Sequence, residues 1–402
     1  MAATTLTRAT AFGLVGLALS VGMMEVVLRI IEYTPAWRAL PIVERELGWP
    51  DANAGYALRP NHQIINVREN RARPTTNSFG MRDRDRHLHK PPNTYRVLLT
   101  GDSFTEALQV EDEQTFSRLA EKSLTAARSD ASFEIFNLGM SGAGPVQQYV
   151  RARETVNKFS PDALVMLVNI DQFSTKEMSD DSINPAYVLD GNGALKLGYG
   201  FRARASQRYR RTWLGKIFFV LMDHSRIARA TYLRIVQRGH GRLPSISASD
   251  RPKALSCGPI AARLKRIIAR WQSDKPLSVA HLSTQLFSDI ADLSKTVRVK
   301  TAIVFYGIGE PSLQCEQAIS LRQGLVAQLS ESLARYEIEF WDADWAIVRA
   351  RHGPSAEVPL HGFGRQQGVG HLNLAGHRYY AGLLVDIVMD LGASRIRNTG
   401  GP

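Results

Sequence analysis

Five short apolar runs, each joined to a stretch of helical spacing, restrict this 402-residue chain more than any other feature. The runs are Tyr95–Thr100, Phe133–Leu138, Ala163–Asn169, Thr301–Tyr306 and Ile338–Trp341. They are too continuously apolar for strands with one face in water. Between and after them, apolar residues recur at helical spacing, as with Phe116, Leu119, Ala120 and Leu124. The same period continues over Gln147–Phe159, Ser278–Lys295, Ala318–Tyr336 and beyond Asn373.

Largely apolar strands that alternate with helices predict a parallel sheet covered on both faces. The expected fold class is α/β: a flavodoxin-like three-layer α/β/α sandwich around a central parallel sheet of about five strands. More than a hundred residues separate the third run from the fourth, too many for an ordinary connection. The domain is therefore expected over residues 93–395, with an inserted helical cap at about 175–275.

The N-terminus predicts the compartment. Ala9 to Met24 is almost purely apolar or small, Glu25 interrupts it, and Val26, Val27, Leu28, Ile30 and Ile31 continue an apolar face. A full span takes about 20 residues, so Glu25 and Arg29 are expected near the membrane interface. Arg8 on the short tail favours a cytoplasmic N-terminus. No small-x-small cleavage site precedes Glu25 and the apolar pattern runs on, which predicts a retained signal anchor. Residues 1–32 are thus expected to form a cytoplasmic tip and a single-pass membrane anchor. Residues 33–92, rich in Pro, Asn and Arg, are expected to connect it to a domain outside the cytoplasm, periplasmic or extracellular.

With 44% hydrophobic and 22% charged residues, the chain is globular in composition. Its net charge of +12 is local: eleven Lys/Arg face a single acid, Asp223, between Arg202 and Arg242. That argues against a whole-protein nucleic-acid binder, and no partner nucleic acid is expected. Combined with Trp213, Phe218, Phe219, Leu221, Tyr232 and Ile235, the 202–242 segment suggests contact with anionic lipid. A cleft lining for an acidic substrate and a solvated helical face are the alternatives. Cys257 and Cys315 form no C-x-x-C pair, which excludes a zinc ribbon, and their sequence leaves open whether they are bonded.

Three loops carry residues suited to chemistry. Thr100-Gly101-Asp102-Ser103-Phe104-Thr105 follows the first run, and places a serine hydroxyl near the start of a helix, where backbone N–H groups point outward. Asn137-Leu138-Gly139-Met140-Ser141-Gly142-Ala143-Gly144 follows the second. It lacks the Gly-Lys-Ser/Thr of a Walker loop and makes a poor dinucleotide fingerprint. Gly370-His371-Leu372-Asn373-Leu374-Ala375-Gly376-His377 leads into the last helix, with Asn373 as its N-cap. A histidine there can serve as general base. The spacing of His371 and His377 is not the i, i+4 zinc pattern; no metal and no cofactor is expected, and His377 is expected as an exposed helical residue.

In that order, Gly-Asp-Ser-Phe, Asn-Leu-Gly-x-Ser-Gly and His-Leu-Asn-x-x-Gly-His, the chain resembles the SGNH/GDSL hydrolase superfamily, in its N-terminally membrane-anchored bacterial form. Gly55–Asn61 and Thr76–Asp83 are similar to the lead-in of that subgroup, and the likeness covers most of residues 55–170 and 360–390. It implies Ser103 as nucleophile and His371 as base. It implies an oxyanion hole from the amides of Ser103 and Gly142 and a polar side chain after the third strand.

Several positions depart from the family pattern. Gly368 and Val369 stand where the acid that orients the histidine is usual, leaving Asp342, Asp344 and Glu357 as open alternatives. The turn Val168–Phe173 aligns Asp171 with the third oxyanion donor. A carboxylate opposes an oxyanion, so Asn169, in a shifted turn, is preferred and Asp171 is the alternate. Ala107 and Gln109 stand where relatives often carry glycine. The resemblance implies a serine esterase or deacylase that removes an acyl group from an envelope glycan or lipid through an acyl-serine. An O-acyltransferase shares that intermediate. The departures keep a non-catalytic binding or assembly module on the same fold as a further alternative.

Overall fold

Side chains alternate across a strand, and along the five central strands both sets are apolar. That is why helices cover both faces of the sheet. The computed structural model describes residues 2–31, 34, 48–64, 66, 69–128, 130–173, 178, 183–239, 257–273, 278–307, 316–344, 359–364, 367–368 and 370–392. The chain begins with α1 (Ala2–Ile31), the hairpin β1 (Trp49–Asp51) and β2 (Gly55–Ala57), and β3 (Thr94–Thr100). Then come the single turn α2 (Ser103–Glu106), α3 (Phe116–Ala127), β4 (Ser132–Asn137), α4 (Pro145–Phe159) and β5 (Ala163–Asn169). A second hairpin, β6 (Ala186–Leu189) and β7 (Leu195–Gly198), precedes α5 (Ala205–Arg211), α6 (Trp213–His224), α7 (Arg226–Gly239) and α8 (Cys257–Trp271). The last elements are α9 (Val279–Val297), β8 (Lys300–Tyr306), α10 (Glu316–Ala334), β9 (Glu339–Asp342) and α11 (Leu374–Asp390).

The central sheet is parallel throughout, in the order β4-β3-β5-β8-β9. This is the flavodoxin-like order expected from the sequence, and its direction reverses at β3, flanked by β4 and β5. Val97, Leu99, Val165 and Val304 face α3 and α11, whereas Leu98, Leu164, Met166 and Ile303 face the layer of α4, α8, α9 and α10. Expected strand limits hold to within a residue or two. α4 starts earlier than its apolar period because Pro145 occupies its first turn, a position where the missing N–H costs nothing.

Contacts divide the chain into two units, residues 1–47 with 208–247 and residues 48–207 with 248–402. In the first, Ala11–Ile31 of α1 has a mean hydropathy of 2.1 and mostly exposed side chains, and is long and apolar enough to cross a membrane. The second contains the sheet. The insertion between β5 and α9 is only partly helical. Asp190-Gly191-Asn192-Gly193 closes the β6–β7 hairpin, with the Asp190 carboxylate accepting from the amides of Asn192 (2.9 Å) and Ala194 (3.0 Å). α8 joins the core of the sheet unit through Leu264, Ile267 and Trp271. Cys315 and the Cys257 side chain lie outside the described residues.

Residues 48–92 are bound into the sheet unit by buried arginines. Arg96, fully buried on β3, donates to Glu134 Oε2 (2.6 Å) and to the carbonyls of His87 (2.7 Å), Leu88 (2.9 Å), His89 (3.0 Å) and Phe159 (2.8 Å). A guanidinium has five N–H groups, so every one is used. Arg86 bonds Asp83 (2.9 and 3.0 Å) and Glu121 (2.6 Å) in the same buried layer.

His377 differs from expectation. It is buried against Phe116, the rings 6.0 Å apart and nearly parallel. Among the described residues, neither ring nitrogen has a hydrogen-bond partner. Burial, reinforced by the positive charge of Arg82, lowers its pKa from 6.5 to about 3. The period of α11 places it inward; a polar residue type misdirected the sequence assignment. The unfolded chain therefore takes up a proton near pH 6.5 that the folded protein refuses until about pH 3. Across that window stability falls by about 1.4 kcal/mol per pH unit. His377→Leu removes this loss. Urea unfolding at about pH 7 and about pH 4.5 should show the variant gaining on the wild type as pH falls. An unchanged difference at the two pH values would contradict a neutral, buried His377.

Candidate active site

The Ser103 turn is fixed from three directions. Asp102 caps α2, its Oδ1 accepting from the Phe104 amide (3.0 Å) and its Oδ2 from Gln172 Nε2 (2.7 Å). Burial raises the Asp102 carboxyl above the usual carboxylate range, although these hydrogen bonds act the other way. Asn137 Nδ2, at the end of β4, donates to the Thr105 carbonyl (2.7 Å). Gly139 lets the β4 loop lie against this turn: a Cβ there would stand 2.3 Å from the Glu106 amide nitrogen. The turn leaves through Ala107 at φ 57°, left-handed backbone that a glycine adopts more readily. Among the described residues, neither the Ser103 hydroxyl nor its amide has a hydrogen-bond partner.

The second loop offers another open donor, the Gly142 amide, which likewise has no partner among the described residues. The preceding residue is held on both sides. Tyr56 Oη donates to the Ser141 carbonyl (2.6 Å), while the Ser141 amide (2.9 Å) and hydroxyl both donate to Glu106 Oε2. Glu106 is fully buried, and burial raises its pKa from 4.5 to about 7 against the pull of the Ser141 bonds, Arg82 and His371.

After β5, Asn169 Oδ1 caps the 3-10 turn Ile170–Gln172 by accepting from the Asp171 amide (2.9 Å), which leaves Nδ2 as its donor end. Asp171 forms an ion pair with Arg263 of α8, and Arg263 also donates to the Gly307 carbonyl (2.6 Å). The carboxylate of the alternate residue is thus neutralised by a cation, and Asn169 is the group with a donor to offer. Gln172, unnoticed in the sequence, carries the turn's contact to Asp102.

His371 lies beside the Ser103 turn. The Phe104 ring packs against His371 (5.7 Å), His361 (5.4 Å) and Tyr306 (4.8 Å). Its acid partner is Glu69, which sequence reasoning missed. Glu69 Oε1 lies 2.6 Å from His371 Nδ1, and Oε2 accepts from the His371 amide at 2.8 Å. A carboxylate at Nδ1 fixes the proton there and leaves Nε2 as acceptor, and Nε2 has no partner among the described residues. Gly370, at φ 95°, permits this approach, since a Cβ would stand 2.6 Å from Glu69 Oε2. Asp342 is paired with Arg322, and Asp344 Oδ1 lies 3.5 Å from the Gly307 amide; Glu357 lies outside the described residues. No local pattern marks Glu69, which is 302 positions from His371. The only sequence signal was the acid missing before the histidine.

No family model matches the sequence, and no curated protein does. Among solved structures, the chain is similar to a lipase/acylhydrolase from Enterococcus faecalis, at 12% identity and a TM-score of 0.35, over 76% of this chain and 100% of that one. It is also similar to a catalytic mutant of Axe2, an acetylxylan esterase from Geobacillus stearothermophilus, at 12% identity and a TM-score of 0.36, over 73% and 94% of the two chains. An esterase, EstA, from Pseudoalteromonas sp. matches at 9% identity and a TM-score of 0.33, over 76% of this chain and all of that one.

Glu106 makes the site titrate. The unfolded chain releases its proton near pH 4.5 and the folded protein holds it to about pH 7, so rising pH costs stability across that window. Glu106→Gln keeps an oxygen for Ser141 without the charge. The variant should match the wild type near pH 4 and exceed it by about 3 kcal/mol above pH 7 in urea unfolding. A variant less stable at the higher pH would mean that Glu106 is held ionised.

Proposed function

We propose that this protein is a membrane-anchored serine esterase of the SGNH/GDSL type that deacylates an envelope glycan or lipid. The observation that carries the reading is the Glu69 carboxylate on His371 Nδ1, at 2.6 Å. It makes Nε2 the basic nitrogen, next to a turn whose serine hydroxyl is unengaged. The ordered motifs around Ser103, Gly142 and His371 support the same reading, and a relocated acid removes the main argument for a non-catalytic module.

In this mechanism His371 Nε2 takes the proton of Ser103 Oγ as that oxygen attacks the ester carbonyl carbon. Glu69 holds the imidazole in the reactive tautomer and stabilises the imidazolium. The amides of Ser103 and Gly142 and the Asn169 Nδ2 donate to the developing oxyanion. His371 then returns the proton to the leaving alcohol oxygen. Water, deprotonated by the same nitrogen, hydrolyses the acyl-serine and releases the acid. The Ser103 and Gly142 amides, unpaired among the described residues, suit this role, because donors already paired within the protein would have to break bonds during the reaction. The α1 helix is the proposed signal anchor, with the sheet unit outside the cytoplasm.

Purified protein incubated with p-nitrophenyl acetate and with a fluorescent fluorophosphonate tests the assignment. Hydrolysis and labelling are expected in the wild type, and Ser103→Ala should abolish both. A folded wild type that neither hydrolyses nor labels, or labelling that persists in Ser103→Ala, would refute it.

A further inference from the structure

Helix α6 is apolar on two opposite faces. Phe219 and Met222 are buried, whereas Trp213 (69% exposed), Leu214, Ile217 (54% exposed), Val220 and Leu221 face outward. At 3.6 residues per turn the exposed five fall within an arc of about 120°. A contiguous face of that size on a water-facing helix marks a surface that is covered by something apolar.

What covers it is indicated by α1. One residue, Ser225, joins α6 to α7, and the Glu25 carboxylate of α1 seizes this turn. It accepts from the amides of Arg226 (2.8 and 2.9 Å) and Ile227 (3.2 Å) and from Ser225 Oγ (3.2 Å). Arg29, one helical turn further on, bonds Glu25 (3.1 Å) and donates to the His224 carbonyl (2.5 Å). The anion therefore sits at the start of α7 and the cation at the end of α6, each at the helix end whose dipole it complements. These are the two charges that interrupt the apolar span. Glu25 lies six residues, or about 9 Å, short of the end of that span at Ile31, where an unpaired charge is costly.

The flanking charge fits the same environment. α7 contains four arginines and no acid, and basic residues beside an apolar helix favour anionic headgroups. With 12 residues, α6 reaches about 18 Å, too short to cross a hydrocarbon core of about 30 Å.

We propose that α6 and α7 form a hairpin embedded in one leaflet of an anionic membrane, locked to the membrane-spanning helix by Glu25 and Arg29. The α6 face of Trp213, Ile217 and Leu221 lies among acyl chains. This rests on α1 crossing the membrane, and the test separates the two claims.

The full-length protein, with Cys257 and Cys315 replaced by serine, is reconstituted in phosphatidylcholine vesicles containing phosphatidylglycerol. A spin label is placed singly at Ala18→Cys in α1, and at Ile217→Cys or Leu221→Cys in α6. Accessibility to oxygen is compared with accessibility to a water-soluble nickel chelate. The α1 label and both α6 labels should favour oxygen several-fold, and adding Glu25→Gln should return only the α6 labels to water. A lipid-exposed α1 label with water-exposed α6 labels overturns the hairpin and leaves the anchor standing. Water exposure at all three positions overturns both. Equal immersion of α6 in vesicles of phosphatidylcholine alone overturns the anionic preference, and α6 labels unmoved by Glu25→Gln overturn the lock.

Discussion

A guanidinium buried in the middle of a parallel sheet must find five acceptors, and the placement of the segment before the sheet depends on where Arg96 finds them. It takes one carboxylate, the end of α4 and three consecutive carbonyls, His87 to His89. Removing such a group would break its pair with Glu134 and leave the buried Phe159 carbonyl without a partner, and breaking a buried ion pair costs about 3–5 kcal/mol. The Arg86–Asp83–Glu121 cluster repeats the arrangement nearby, and Arg82 binds the Val110 carbonyl (2.8 Å) and Asp112. These bonds tie the described residues of a stretch with little regular structure to the sheet unit.

That attachment matters because the stretch contributes to the candidate site. The carboxyl ends of β3, β4 and β5 present Ser103, Gly142 and Asn169, the usual yield of a switch point in an open parallel sheet. Glu69 and Tyr56 come from before the sheet, one holding the His371 ring and the other the Ser141 carbonyl. In the proposed mechanism Glu69 orients the imidazole, and the buried arginines bond the described residues of its segment to the sheet unit. Gly370 then allows the two parts to meet.

The sheet was legible from sequence because buried parallel strands leave continuous apolar runs, and the limits of Ala163–Asn169 agreed to the residue. Ser103, Gly142 and His371 were legible as candidates because their loops directly follow or precede regular elements. Asn169 was reached by a charge argument, and the alternate, Asp171, is engaged with Arg263 instead. Glu69 was not legible, since a contact across 302 positions leaves no period or spacing. His377 was misjudged because residue type outweighed helical phase. The β6–β7 hairpin was overlooked despite a Gly-Asn-Gly turn, for its strands of four residues are too short to show alternation.

The central claim is that Glu69 acts on Ser103 only through His371, and a double-mutant cycle on the fluorophosphonate labelling rate tests it most directly. Rates are measured for the wild type, Glu69→Gln, His371→Ala and the double variant. Glu69→Gln alone should slow labelling by about 10²–10⁴-fold, and His371→Ala by at least as much. With His371 already absent, Glu69→Gln should change nothing further. If the two losses multiply, or if Glu69→Gln labels at the wild-type rate, Glu69 is not the acid of this site.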